Sequence, residues 1–183
     1  MDKPSLTVGL QPRMSQSPAD GTVPTDMFRQ GSVRRLVAFS LDGQRYALHL
    51  SVVERVLRMV AVSPLPLAPA IVLGVVNVHG QIIPVLDFQR RFGRSSRTHG
   101  LSSTLLVART SRRTMALPVN EVLGVQEVAV EMVTLPNVVF PGIGLVTGIV
   151  TLSDGVLFIH DLDAFLSFDE EQRLTAALDG KTE

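Results

Sequence analysis

Cysteine is absent from the 183 residues, which removes disulfide scaffolds, thiolate metal sites and cysteine nucleophiles and fits a reducing compartment. Net charge is absent too. Seventeen Lys and Arg balance seventeen Asp and Glu, so no whole-molecule field draws the chain towards nucleic acid, an anionic membrane or an acidic substrate, and a charged partner must be met locally. Long apolar runs are also missing: the longest, Ile71–Val76, is interrupted by Gly74 and falls far short of the roughly 20 residues of a spanning helix. Direct membrane insertion is not expected. The opening Met-Asp-Lys-Pro leads into Pro, Ser, Gln and Gly instead of an apolar signal core, so secretion is not expected, the cytoplasm is the default, and residues 1–31 read as a disordered tail.

What is present is enough hydrophobic residue, 45%, to bury a continuous core. From Arg34 onwards it comes as short stretches of Val, Ile and Leu separated by turn signals: Asp42-Gly43, His79-Gly80, Pro141-Gly142 and Asp154-Gly155. Such spacing predicts strands. Leu36–Leu41 and Arg45–Leu50 around Asp42-Gly43-Gln44 form the clearest hairpin, and Val75–Val78 with Gln81–Leu86 around His79-Gly80 form another. Prolines 64, 66 and 69 confine the stretch between them to an extended loop.

An internal repeat decides the architecture. A shift of 69 positions lays Leu36-Val37-Ala38 on Leu105-Leu106-Val107, Ala47-Leu48 on Ala116-Leu117, and Val56 on Val125. A shift of 74 lays Gly74-Val75-Val76 on Gly148-Ile149-Val150, Ile82-Ile83 on Val156-Leu157, and Asp87 on Asp161. Each copy therefore runs hairpin, bent third strand, loop and closing hairpin, the size of a small closed barrel that hides its edge strands. Asp87 and Asp161 read as N-caps of short helical segments, Phe88–Phe92 and Leu162–Leu166. The capping box Ser167…Glu170 opens a final helix running to Gly180. The prediction is a mainly β chain of two pseudo-repeated five-stranded barrels packed together. A tail over 1–31 precedes two lobes over 32–167, near 32–92 and 104–167, with strand exchange between them allowed; the C-terminal helix and tail occupy 168–183.

No catalytic, cofactor or metal residues emerge. His49 and His160 fall in strand patterns and His79 and His99 at turns, none at metal-ligand spacing. Asp87, Asp161 and Asp163 could suggest acid–base chemistry, but capping accounts for the first two. No serine stands in a nucleophile elbow to complete a triad with His160. In Pro141–Gly148 the third glycine comes one place late for a dinucleotide loop and a strand follows. Arg90, Arg91, Arg94 and Arg97 with His99 form a basic cluster, yet only Phe92 is near for base stacking, so a solvated connector is the better reading and nucleic acid is not expected as a partner.

Gly74-Val-Val-Asn-Val-His-Gly-Gln-Ile-Ile-Pro-Val-Leu-Asp-Phe88, together with the opening hairpin, Val53-x-x-Val-Leu-Arg58 and the closing stretch from Gly148 to Asp163, resembles the CheW family of bacterial chemotaxis coupling proteins over about Val33–Leu166. The resemblance implies a CheW-like domain of paired SH3-like barrels that acts as a non-catalytic scaffold. It would bridge the cytoplasmic tip of chemoreceptors and the histidine kinase CheA, in the cytoplasm and recruited to membrane-associated receptor arrays. It implies partner contacts at Val53, Glu54, Arg55 and His79, and structural roles for Gly74, Asn77, Gly80, Pro84, Asp87, Gly148 and Asp161, with Pro84 marking an edge or bulged strand. Two positions depart from the family pattern: His79 stands where many relatives have Arg, and Arg55 where they often have Glu, turning an attractive pair into a mildly repulsive one. A specialised scaffold, serving type IV pili or another chemosensory system without standard receptor coupling, is the alternative. A small barrel binding nucleic acid through the arginine loop, or an enzyme with a site between the lobes, stands behind it.

Overall fold

The structure, a computed structural model, describes residues 32–93, 100, 102–135 and 145–180. The tail expected over 1–31, Arg94, Arg97, His99 and the Pro141–Gly144 part of the glycine-rich loop lie outside them. Among these residues eleven strands and two α-helices follow in chain order: β1 Val33–Leu41, β2 Gln44–His49, β3 Val53–Arg58, β4 Val72–Val78, β5 Gln81–Leu86, α1 Phe88–Arg91, β6 Thr104–Arg109, β7 Thr114–Val119, β8 Glu121–Ala129, β9 Val133–Thr134, β10 Val146–Leu152, β11 Gly155–His160 and α2 Phe168–Asp179.

The strands form two sheets, one in the order β8-β1-β2-β11-β10-β9 and one in the order β3-β6-β7-β5-β4. Call them barrels I and II. Each combines the opening hairpin of one repeat with the third strand and closing hairpin of the other, so contiguous halves near 32–92 and 104–167 are not the hydrogen-bonded units. The correspondence is close: β1 pairs with β8 as β6 pairs with β3, and the bridge from Ser63 to Val75 in barrel II answers the short β9–β10 pairing in barrel I. Exchange leaves β1, β2, β6 and β7 covered on both faces, which explains their near-continuous apolar runs.

Strand alternation divides the core. Leu36 and Ala38 of β1 join Ala47, Leu157 and Ile159 inside barrel I, while Leu105 and Val107 of β6 join Val76, Ile83 and Val85 inside barrel II. The intervening residues Val37, Phe39, Leu41, Leu106 and Ala108 face a third cluster, shared by both barrels, with Phe88, Phe165 and Leu174. Phe39, Phe88 and Phe165 are fully buried there, each contributing about 1.5–3 kcal/mol of burial. α2 seats Leu174 in this cluster and starts at a complete capping box between Ser167 and Glu170.

Two expectations change. No helix follows Asp161: its Oδ1 accepts the Asp163 N–H at 2.8 Å, and the chain turns through 162–166, because Ser167 must be extended (φ −66°, ψ 163°) to cap α2. Asp87 does cap a helix, accepting the N–H groups of Gln89 and Arg90. Pro84 is not on an edge, since β5 lies between β7 and β4, but it stands beside a bulge, the register of that pair shifting between Val72 and Gly74 opposite Leu86 and Val85. It is tolerated because the β5–β7 ladder is confined to Val85 opposite Ala116, so no long run of donors is required beside it. Among the described residues no helix is long and apolar enough to cross a membrane.

Candidate functional site

The four residues singled out for partner contact separate in space. A register shift between Val53 and Arg55, opposite Ala108 and Val107, makes Glu54 the extra residue of a β-bulge. Val53 is half-buried against the shared core, Glu54 turns to Arg109 across the β3–β6 pair, and Arg55 projects to solvent. Past the bulge the exposed apolar residue is Val56, 48% accessible. Its repeat-mate on β8, Val125, is 53% accessible, and Gly124 there sits at the corresponding irregularity, opposite Ala38.

Arg55 meets His79, the pair that the resemblance singled out, but by a hydrogen bond: the guanidinium lies 2.8 Å from Nδ1. A guanidinium can only donate, so Nδ1 is the acceptor and the neutral ring carries its proton on Nε2. A hydrogen bond thus stands where repulsion was expected. The bond joins β3, at one end of the sheet, to the β4–β5 turn at the other, pinning the open side of barrel II. His79 reaches it from a left-handed conformation (φ 52°) followed by Gly80 (φ 86°), and Asn77 Oδ1 accepts the Gly80 N–H at 2.7 Å to hold that turn.

Gly74 and Gly148 occupy matching places in β4 and β10 with unequal stringency. A Cβ on Gly74 would lie 2.2 Å from the Ser63 carbonyl oxygen, and its φ is +149°; on Gly148 it would meet the Val133 side chain at 2.5 Å.

The basic cluster is committed to the fold where it is described. Arg90 donates to the Ala70 carbonyl and pairs with the buried Asp87 at 3.3 Å. Arg91 binds Glu170 at 2.6 Å and stands over the Phe165 ring. Burial pushes the Glu170 carboxyl up, but the Ser167 N–H and Arg91 outweigh it and leave it below its ordinary value. Phe92 packs with Tyr46, Phe88 and His160 and is not a free stacking platform. Among the described residues no set of three His, Asp or Glu side chains is placed to hold a metal ion. His160 is buried with neither ring nitrogen hydrogen-bonded, so no triad forms with Asp161.

Sequence reasoning missed the fasteners between segments. Arg45 forks onto Asp154 with two 2.7 Å contacts, and this bond lowers the Asp154 carboxyl below its usual range. Arg113 holds Glu171 and Thr175 of α2. No local motif announces pairs this distant. It also missed that His49, His160 and Arg34 line one pocket; the repeat alignment, which sets the two histidines against Pro118 and Leu86, was the available signal.

Residues 35–170 match the family model described as a CheW-like domain. The chain is 32% identical over 89 residues to the chemotaxis protein CheW of Rhizobium meliloti, covering 49% of this chain and 57% of that protein, a little over half its length. It is 27% identical over 146 residues to CheW of Treponema pallidum, covering 76% and 86%. Among solved structures, the scaffolding protein CheW of Thermoanaerobacter tengcongensis superimposes with a TM-score of 0.68 at 26% identity, over 76% of this chain and 96% of that one.

Proposed function

This chain belongs to the family defined by the CheW-like domain, and from that premise we propose that it is a non-catalytic scaffold in a chemotaxis-type array, coupling chemoreceptors to the histidine kinase CheA. It works in the cytoplasm, recruited to membrane-associated receptors. The observation that supports two-sided coupling is the pair of repeat-related valines, Val56 on β3 and Val125 on β8, exposed on bulged end strands of different barrels. Each end strand offers unpaired backbone groups beside an apolar side chain, the ingredients of reversible docking by packing and strand contacts. Two equivalent edges on one rigid core let one molecule hold two partners.

One barrel meets the SH3-like regulatory domain of the kinase. The other, with Arg55 and His79, meets the receptor tip. With Nδ1 occupied, this pair offers the partner only donors and a net positive charge, so the receptor surface it faces carries a carboxylate. Glu54, neutralised by Arg109, does not oppose that contact. The departure of Arg55 and His79 from the family pattern also supports a second reading, a scaffold specialised for type IV pili or another chemosensory system without standard receptor coupling.

The test is calorimetric titration with the regulatory domain of the cognate CheA and then with a receptor tip fragment. Binding to both, with receptor affinity lowered about tenfold or more by Arg55→Glu, is the expected result. Kinase binding without receptor binding selects the specialised scaffold, and a folded sample that binds neither partner overturns the coupling role.

A further inference from the structure

Arg34 at the start of β1, His49 at the end of β2, Thr147 at the start of β10 and His160 at the end of β11 stand at one end of barrel I. With Asp161 they line a pocket of about 470 Å³, walled on its apolar side by Val52 and Leu162. The end of a small barrel is a common place for a ligand site, and three observations make this one unusual.

First, His160 is 97% buried, 3% accessible, and neither ring nitrogen has a hydrogen-bond partner. Its ring is wedged edge-on against Phe88 and Phe92 at 5.0 and 5.2 Å. Burial lowers its pKa to about 4; the Leu145 carbonyl pulls the other way but lies outside hydrogen-bond geometry. At neutral pH it is therefore an uncharged ring holding one donor and one acceptor idle, a condition rare in native interiors. Second, opposite charges line the same pocket unpaired: among the described residues Arg34 makes no ion pair, and Asp161 meets no cation and uses one oxygen for the Asp163 N–H. Third, the fold does not demand this chemistry. At the matching end of barrel II the repeat places Ser103, Pro118, Leu73 and Leu86, and Asp87 there is buried and engaged by α1 and Arg90.

We propose that this end of barrel I is a binding site for a small zwitterion of the α-amino-acid type. Its carboxylate faces the Arg34 guanidinium and the His49 ring, its ammonium faces the free oxygen of Asp161, and the buried His160 ring forms the wall beside them. Val52 and Leu162 take a short apolar side chain. The site is separate from the β3 and β8 edges and does not depend on the coupling role.

The test is an NMR titration of the full chain, labelled at histidine, with pools of the free proteinogenic L-amino acids, following the His160 ring signals. At least one pool shifts them saturably at or below about 10 mM, and acetate or ethylammonium added alone does not. Arg34→Gln and Asp161→Asn, the latter keeping the oxygen that accepts the Asp163 N–H, each weaken binding about tenfold or more, while Arg112→Gln does not. The proposal is overturned if no pool moves the ring signals, if acetate alone reproduces the shifts, or if both pocket variants bind like the parent.

Discussion

In barrel I the parallel seam between β2 and β11 runs for three residue pairs, Arg45 to Ala47 opposite Leu157 to Ile159; in barrel II the equivalent seam between β7 and β5 is confined to Val85 opposite Ala116. The sequence supplies the reason. Pro84 and Pro118 stand in β5 and β7, while their repeat-mates in β11 and β2 are Phe158 and His49, which keep their N–H groups. Barrel II makes up the loss from outside the sheet, through the Arg55–His79 pin across its open side and through α2, which is tied to the β6–β7 turn by Arg113 and to α1 by the Arg91–Glu170 pair. One topology is thus closed in two ways, by backbone in one barrel and largely by side chains in the other.

The contrast is sharpest at the paired glycines. Gly74→Ala forces a Cβ against a backbone carbonyl at a left-sided φ, whereas Gly148→Ala presses on the side chains of Val133 and Ile159 and on no backbone atom. Denaturant unfolding is expected to show a loss of about 4 kcal/mol or failure to fold for the first, and less than half that for the second. Equal losses would mean the two β-bridges are equally constrained. Next comes the clasp: Leu174→Ala empties a fully buried site on α2 and should cost about 3 kcal/mol. Hydrogen exchange is expected to quicken in β4 and β5 more than in β10 and β11; uniform acceleration would refute the idea that α2 supports barrel II in particular.

His160 stands where barrel II has Leu86. Its pKa is depressed in the folded chain to about 4, so the unfolded chain binds the proton first, and stability falls as pH drops from about 6.5 to about 4, by roughly 3 kcal/mol in total. His160→Leu should abolish that slope while leaving stability near neutral pH unchanged or higher. A slope that persists in the variant would place the acid sensitivity elsewhere. The smallest difference lies between the two aspartates. Asp87→Asn weakens a buried cap and its ion pair with Arg90, costing about 1–2 kcal/mol, and Asp161→Asn, at an exposed turn, costs less than about 0.5 kcal/mol in thermal or denaturant unfolding.

Much of this was legible before any coordinates. Strand periodicity and the two repeat shifts carried the hairpins, the barrel count and the pairing of Asp87 with Asp161. The exchange of opening hairpins was open as a possibility only, because Ala47 or Leu117 pattern identically whether the neighbouring strand comes from their own repeat or the other. The missing second helix was illegible for a related reason: Leu162–Leu166 has the right spacing, and only the extended geometry of Ser167 stops it. At the proposed partner face the resemblance named residue positions, but that Glu54 turns to Arg109 and Val56 is left exposed was not legible, since a one-residue shift leaves no mark in composition. The barrel-end pocket gathers residues from four strands and has no motif.

The coupling role is tested most directly by reconstitution, in which receptor-bearing membranes are pelleted with CheA in the presence and absence of this protein. The account predicts that the protein carries the kinase into the pellet and that Val56→Glu and Val125→Glu each abolish this while leaving the fold intact, one by losing the receptor and the other by losing the kinase. Kinase recovery that is the same with and without the folded protein would contradict it.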